Sequence, residues 1–304
     1  PAVMSARNIE NRKERLLTIL ITPLMSCSAR LPVYTILIGL VIPNNYLLGF
    51  IGLQGLVMLG LYLLGFVMAL IVSYVAKWFI NINEKSFFIL ELPVYHSPRW
   101  KNVLNTMVEK AKIFVLQAGK VIMIISLVLW VLQSFGPGDR MHRVTEKYEA
   151  ALAQPGADST QLKFDYDNEH LENSYVGIAG KAIEPVVSPL GYDWKIGNAL
   201  ITSFAAREVF VGTMATLYSV EDDGEENATL KEKMHAAVRA DGTPVYTLAT
   251  GVSLMVFYVF AMQCMSTLAI VRRETRSWKW PAIQLVYMTA LAYAMSWLVY
   301  QLFR

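Results

Sequence analysis

Only two cysteines occur in 304 residues, Cys27 and Cys264, and both sit inside apolar segments, which leaves nothing for a disulfide scaffold to be built from. Charge is scarce as well. Asp, Glu, Lys and Arg supply 17% of the residues against 55% hydrophobic, a balance that excludes an ordinary soluble domain. The sequence contains no G-x-x-x-x-G-K-[ST] loop, no G-x-S-x-G elbow and no H-E-x-x-H helix, so no catalytic signature is present and the chain is read as a non-enzyme. Its histidines, His96, His142, His170 and His235, lie outside the apolar runs at spacings that match no zinc pattern.

What remains is apolar sequence in lengths suited to a bilayer. Runs near 16–43, 48–79, 113–135, 247–271 and 281–303 read as membrane spans, with a more ambiguous tract at 176–219. The expected fold class is all-α, a polytopic transmembrane bundle with broken and re-entrant helices. The tract 81–112, with Pro93 and Pro98 before a mixed-charge helix start at Trp100, reads as an interfacial segment that feeds the third span. Trp278, Trp280 and Trp297 fall on spans or their edges, which suits interfacial anchoring; the expected surrounding is lipid, and no nucleic-acid partner is indicated.

Loop charges set the orientation. Residues 1–15 carry Arg7, Arg12, Lys13 and Arg15, the tract 81–112 carries Lys85, Arg99, Lys101, Lys110 and Lys112, and 272–279 carries Arg272, Arg273, Arg276 and Lys279; these three read as cytoplasmic. The connections 136–175 and 220–246 lean acidic, with eight acidic residues against four basic and seven against three, and read as external. If both are external, 176–219 must enter the membrane and return. Gly180 to Pro185 and Ser188-Pro189-Leu190-Gly191 interrupt any simple helix there, so a re-entrant element or two crossings is expected.

Polar groups inside the apolar runs are the candidates for function. The stretch Pro23-Leu24-Met25-Ser26-Cys27-Ser28-Ala29-Arg30-Leu31-Pro32 places a thiol, hydroxyls and a guanidinium between two prolines, and broken membrane helices line cavities or pathways. Cys27 and Cys264, each with a methionine two residues earlier (Met25, Met262), read either as soft donors for a metal ion or as small hydrophobes and gap fillers. Arg30 reads as a brace that donates to carbonyls freed by the break. Arg207 and Glu208 point about 100° apart on a helix, so each needs its own partner; Glu208 reads as a cation ligand or proton carrier, or as half of an ion pair with Arg30 or Arg207. Glu184 reads as a solvated helix end.

Met25-Ser26-Cys27 followed by Leu31 is echoed by Met262-Gln263-Cys264 followed by Leu268, and each is followed by a further apolar span. Corresponding interruptions in two halves point to a transporter's binding site. The expected division is 1–110 and 111–304, two related gate-bearing halves, the second carrying the external loops. The chain opens on Pro1 with no charged leader before the first span, which predicts a piece of a longer protein.

Asn8-Ile9-Glu10-Asn11-Arg12-Lys13-Glu14-Arg15 running into Ser26-Cys27-Ser28-Ala29-Arg30-Leu31-Pro32-Val33-Tyr34 resembles the ferrous iron transport protein B family. Glu91-Leu92-Pro93-Val94-Tyr95, Ala111-Lys112-Ile113-Phe114, Ser203 to Val209, and Arg273-Glu274-Thr275 with Ser277-Trp278-Lys279-Trp280 resemble it in the same order. Pro1-Ala2-Val3-Met4 resembles the tail of the family's first gate motif. The resemblance implies a multi-pass permease of the bacterial cytoplasmic (inner) membrane that carries Fe(II) as its substrate. It also implies an N-terminal GTPase domain with GTP and Mg, which together with the first membrane helices lies outside this chain. Small accessory proteins of the iron system and a homo-oligomer are implied partners. By position, Cys27 belongs to the second gate motif and Cys264 to the family's other intramembrane cysteine. The site expected on this basis has Cys27, Cys264, Met25, Met262 and Glu208 on the ion path, with Pro23, Ser28, Arg30, Pro32 and Arg207 as gate structure. A nucleoside or other organic-solute carrier, and a scaffold or signalling membrane domain, are the competing readings.

Overall fold

The computed structural model describes residues 2–47, 51–79, 99–137, 143–148, 166, 169–170, 172–204, 207, 209–218, 234, 237–238, 243–262 and 264–304. They are overwhelmingly helical. After a short turn of helix, α1 (Ala2–Ser5), come α2 (Arg12–Ile21), α3 (Leu31–Val41) and α4 (Leu53–Phe79), then α5 (Trp100–Ser134). The second part contains α6 (Tyr175–Val187), α7 (Trp194–Ser203), α8 (Val209–Leu217), α9 (Leu248–Phe260), α10 (Met265–Thr275) and α11 (Lys279–Phe303). One antiparallel ladder, Tyr46–Leu47 with Ile51–Gly52, links α3 to α4.

Helix starts follow side-chain capping. Asn11, Ser174, Asp193 and Thr247 each accept a hydrogen bond from a backbone N–H in the first turn of α2, α6, α7 and α9. Pro32 sits in the first turn of α3, where its missing N–H costs nothing.

Among the described residues three segments, Arg12–Val41, Leu53–Trp78 and Lys279–Phe303, are long and apolar enough to cross a membrane. On α4 the residues Leu56, Leu59, Leu63, Phe66, Leu70 and Tyr74 form an exposed apolar stripe at helical spacing, a surface that lipid covers and water would not.

Three sequence expectations change here. The span expected at 247–271 is two helices, α9 and α10, separated at Ala261–Cys264. The interfacial tract expected to 112 and the third span expected at 113–135 share one uninterrupted helix, α5, which starts at Trp100 as expected and runs to Ser134. The interruption expected at Gly180–Pro185 is missing: α6 runs through Pro185 to Val187, since a proline so near the C-terminal end gives up little of the hydrogen-bond ladder. The chain turns instead at Ser188–Leu190 and at Gly191, whose φ of 81° suits glycine.

Helix α9 is the centre of the bundle and packs against α3, α4 and α11. Small residues let these backbones approach. Ser253 Oγ donates to the Ser296 carbonyl at 3.1 Å and Ser296 Oγ returns a bond to the Ser253 carbonyl at 3.0 Å, tying α9 to α11 twice. Tyr192 Oη joins the pair at 3.0 Å from Ser253 Oγ.

At one end of the bundle the N-terminal segment is latched to α10. Arg7 Nε and Nη2 donate to Glu274 Oε2 and Oε1 at 2.7 and 2.5 Å, so two segments expected on the cytoplasmic side meet in a bidentate pair. The hydrogen bond from Arg7 holds the Glu274 carboxyl below the ordinary carboxylate range; burial opposes this, and the charges of Arg7, Arg273 and Arg15 reinforce it. A depressed carboxyl stabilises the folded state fully above its unfolded pKa and loses that contribution as pH falls through the folded value. Protection of the amide hydrogens at residues 3–9, taken relative to the intrinsic exchange rate at each pH, is therefore expected to fall as pH drops below the carboxylate range. In Glu274→Gln this protection is expected to be low already at neutral pH and to change little with acid. Equal protection in the variant at neutral pH would dismiss the latch.

Candidate functional site

Three interruptions of the helical chain lie together in the middle of the bundle. In the first, α2 tightens into a turn at Thr22–Leu24, Met25 is extended, and a second turn at Ser28–Arg30 leads into α3. In the second, α7 and α8 form an antiparallel hairpin. Thr202 Oγ1 and Thr213 Oγ1 are 2.9 Å apart near its tip, and Lys195 Nζ lies 4.6 Å from the Tyr218 ring at its open end. Tyr218 Oη donates to Tyr246 Oη at 3.3 Å, so the hairpin leaves beside the start of α9. The third is the gap between α9 and α10.

Each helix end that points into this region leaves carbonyls without intrahelical partners, and two arginines take them. Arg30 donates from Nη2 to the Pro23 carbonyl at 3.2 Å, and from Nη1 to the Leu24 carbonyl and Ser26 Oγ, both at 3.4 Å. Arg207, at the tip of the hairpin, donates from Nη2 to the Ala261 carbonyl at 2.8 Å. A guanidinium at the negative end of a helix satisfies both the hydrogen bond and the dipole. Both are deeply buried, Arg30 at 0% and Arg207 at 5% exposure. They also sense each other's charge, within one neighbourhood that contains Tyr34, Tyr62 and Cys27.

Packing closes the junction. A methyl group on Gly65 of α4 would lie 3.3 Å from Ser26 Oγ, 3.5 Å from the Leu24 carbonyl and 3.5 Å from Val259 Cγ1, so α4 and α9 approach the first break from two sides. Tyr258 Oη donates to Ser203 Oγ at 3.1 Å, fixing the tip of the hairpin on α9. Donors are left over: Arg30 Nε, Arg207 Nε and Nη1, and Tyr34 Oη are buried without a partner, and no carboxylate forms an ion pair with either arginine among the described residues. Among the described residues the junction is thus rich in donors and carries the two positive charges of Arg30 and Arg207.

The two cysteines occupy matching backbone positions. Cys27 (φ −119°, ψ 160°) and Cys264 (φ −157°, ψ 99°) are extended residues directly before a helical turn, and each carbonyl accepts from the residue three positions on, Arg30 N at 3.2 Å and Thr267 N at 3.1 Å. Their surroundings differ, with Cys27 exposed and Cys264 half-buried. Met25 is 51% exposed, whereas Met262 is 2% exposed. Pro23 lies within the tight turn after α2, Ser28 starts the turn before α3, and Pro32 follows in the first turn of α3. Glu208 and Gln263 lie outside the described residues, as do His96, His142 and His235. Among the described residues no group of three or more His, Cys, Asp or Glu side chains is gathered. Sequence reading missed Gly65 and Tyr258, which carry no local signal and matter through contacts made across the bundle, and it met Tyr34 and Ser203 only as members of motifs, without a role.

Two family profiles match the chain. One, described as "Ferrous iron transport protein B C terminus", covers residues 58–110, and the other, "Gate: Nucleoside recognition", covers 115–278. The protein named "Fe(2+) transporter FeoB" of Leptospira biflexa is 40% identical over 99% of this chain and 41% of its own length. The chain belongs to the ferrous iron transport protein B family. The Fe(2+) transporter FeoB of Staphylococcus aureus is 36% identical over 99% of this chain and 38% of its own length. An Fe(2+) transport protein A/Fe(2+) transporter FeoB fusion protein of Porphyromonas gingivalis is 32% identical over 99% and 36%. The chain therefore spans about two fifths of the curated relatives it matches, and corresponds to their C-terminal part. No solved structure matches it at a significant level.

Proposed function

We propose that this chain forms the permeation part of a bacterial ferrous iron transporter, and that Fe(II) passes the junction where the three helix interruptions meet. The observation that carries this reading is the pair of buried arginine braces: Arg30 and Arg207 donate to carbonyls at two helix breaks, and in each break an extended cysteine directly precedes the next helical turn. A protein that only anchored a partner would have no use for buried charges and broken helices. The relatives' name supplies the substrate.

In this reading Cys27 and Cys264 are the first ligands that Fe(II) meets. Met25, Met262 and Glu208 contribute further donors, and Pro23, Ser28 and Pro32 shape the break. Metal capture displaces the thiol protons of Cys27 and Cys264, and the thiolates so formed offset the positive field of Arg30 and Arg207. The α7–α8 hairpin acts as a re-entrant element, and the two profiles that meet between residues 110 and 115 support the division into halves 1–110 and 111–304. The remaining length of the relatives leaves room for the GTPase domain whose GTP and Mg chemistry drives uptake. The fused relative supports a small accessory partner. The location is the inner membrane, multi-pass, with self-association as a further expectation.

In the full-length protein, Cys27→Ser and Cys264→Ser are each expected to lower Fe(II) uptake by roughly tenfold or more, in line with losing one soft ligand. The double variant is expected to lose uptake while still hydrolysing GTP. Fe(II) uptake unchanged in the double variant would sink the thiol-ligand model; dispensable cysteines are also what an organic-solute carrier predicts, the reading that the description "Nucleoside recognition" supports. Competition of uptake by nucleosides separates the two.

A further inference from the structure

The turn between α10 and α11 borders an open surface cavity of about 490 Å³ lined by Ala269, Arg272, Arg273, Arg276, Ser277 and Trp278. Its shape follows from the chain. Arg276 takes a left-handed conformation (φ 51°) at the end of α10, so the backbone reverses within Ser277 and Trp278 and enters α11 at Lys279. The reversal lays Arg272 on the face of Trp278, with the guanidinium carbon 4.0 Å from the ring centroid.

Among the described residues the space is left positive, because the adjacent counter-charge is used elsewhere. Glu274 is the adjacent carboxylate, and both its oxygens are held by Arg7. Arg273 approaches it only at 3.8 Å. Among the described residues, neither Arg272 nor Arg276 is joined to a carboxylate. The guanidinium groups of Arg272 and Arg276 around one space, with a serine hydroxyl and an indole, match the donor pattern of a phosphate group.

Position in the membrane selects the source of that phosphate. The apolar span of α11 begins at Lys279, directly after the cavity, and Trp278 is 64% exposed beside it. This is the depth at which aromatic belts and lipid phosphates lie. Along α11 the residues Ile283, Val286 and Ala290 continue downward as an exposed apolar strip at helical spacing, a track for an acyl chain. A volume of this size accommodates a headgroup.

We propose that the cavity binds the headgroup phosphate of an anionic phospholipid. Arg272 and Arg276 are its ligands, Trp278 holds Arg272 in place, and the acyl chains descend along α11. The site lies at the latched end of the bundle and does not depend on what the central junction carries.

Native mass spectrometry of the full-length protein, released from detergent and titrated with phosphatidylglycerol or phosphatidylcholine, tests this. Wild type is expected to retain phosphatidylglycerol in preference to phosphatidylcholine. Arg272→Gln/Arg276→Gln is expected to weaken phosphatidylglycerol binding by about tenfold or more, given the attraction of each basic side chain for an anionic surface. Arg272→Lys, which keeps the charge and the fold but loses the planar fork, is expected to fall between them. Arg12→Gln/Lys13→Gln, which removes the same charge outside the cavity, is expected to bind as wild type does. Equal weakening by both double variants would mean diffuse attraction and overturn the site. Arginine-dependent binding of inorganic phosphate as strong as that of phosphatidylglycerol would overturn the lipid assignment.

Discussion

Arg30→Ala is expected to destabilise the bundle by about 3–5 kcal/mol, the range for breaking a buried charged arrangement and leaving a large cavity, and, in the full-length protein, to abolish the Fe(II) uptake proposed above. The side chain is among the largest fully buried ones, and it holds the Pro23 and Leu24 carbonyls and Ser26 Oγ at the first break. Without it, two carbonyls at a helix end lose their donors where water is scarce, at about 1–3 kcal/mol for each group left unsatisfied. One effect runs the other way: removal relieves the repulsion between Arg30 and Arg207. Cavity and orphaned carbonyls together outweigh that relief, because both arginines already spend donors on helix ends.

Two further variants separate the contributions. Arg30→Met fills much of the volume but donates nothing, so it recovers the cavity cost alone. Arg30→Lys keeps the charge, yet a single ammonium cannot span acceptors on residues 23, 24 and 26 as the fork does. Unfolding in detergent by heat or denaturant measures all three. An Arg30→Met protein as stable as wild type, with its break intact, would mean that the guanidinium does not brace the break.

Gly251→Ala is the second large effect, an expected loss of about 1–3 kcal/mol from overpacking. A methyl group at Gly251 would lie 2.9 Å from Val41 Cγ1 and 3.0 Å from Val41 Cβ, and closer still to Cγ2. Val41 cannot swing aside, since a β-branched residue in a helix has one strongly preferred rotamer. Helices α3 and α9 must then separate, and α9 is also tied to α11 through Ser253 and Ser296. Val41→Ala in the same chain is expected to restore much of the stability, with a coupling of about 1 kcal/mol or more between touching sites. Gly60→Ala on α4, where nothing lies within 4 Å of the added methyl, is expected to be neutral or slightly stabilising and serves as the control. Additive losses at positions 41 and 251 would show that the helices do not meet there.

The sequence by itself determined the helical membrane class, the approximate place of its long spans and the family, because lipid demands long apolar runs and tolerates polar groups inside them only for a reason. It also marked the first break, since Pro23 and Pro32 announce an interruption locally. Tertiary structure decided the rest. Ala261-Met262-Gln263-Cys264 contains neither proline nor glycine, so local propensity reads through it; the end of α9 is held by a donor, Arg207, from a hairpin 54 positions away along the chain. Pro185 gave the opposite error, a local breaker that a helix near its end absorbs. A helix can stop wherever its last carbonyls find partners, and when those partners come from another part of the chain, only the folded molecule reveals where the break falls.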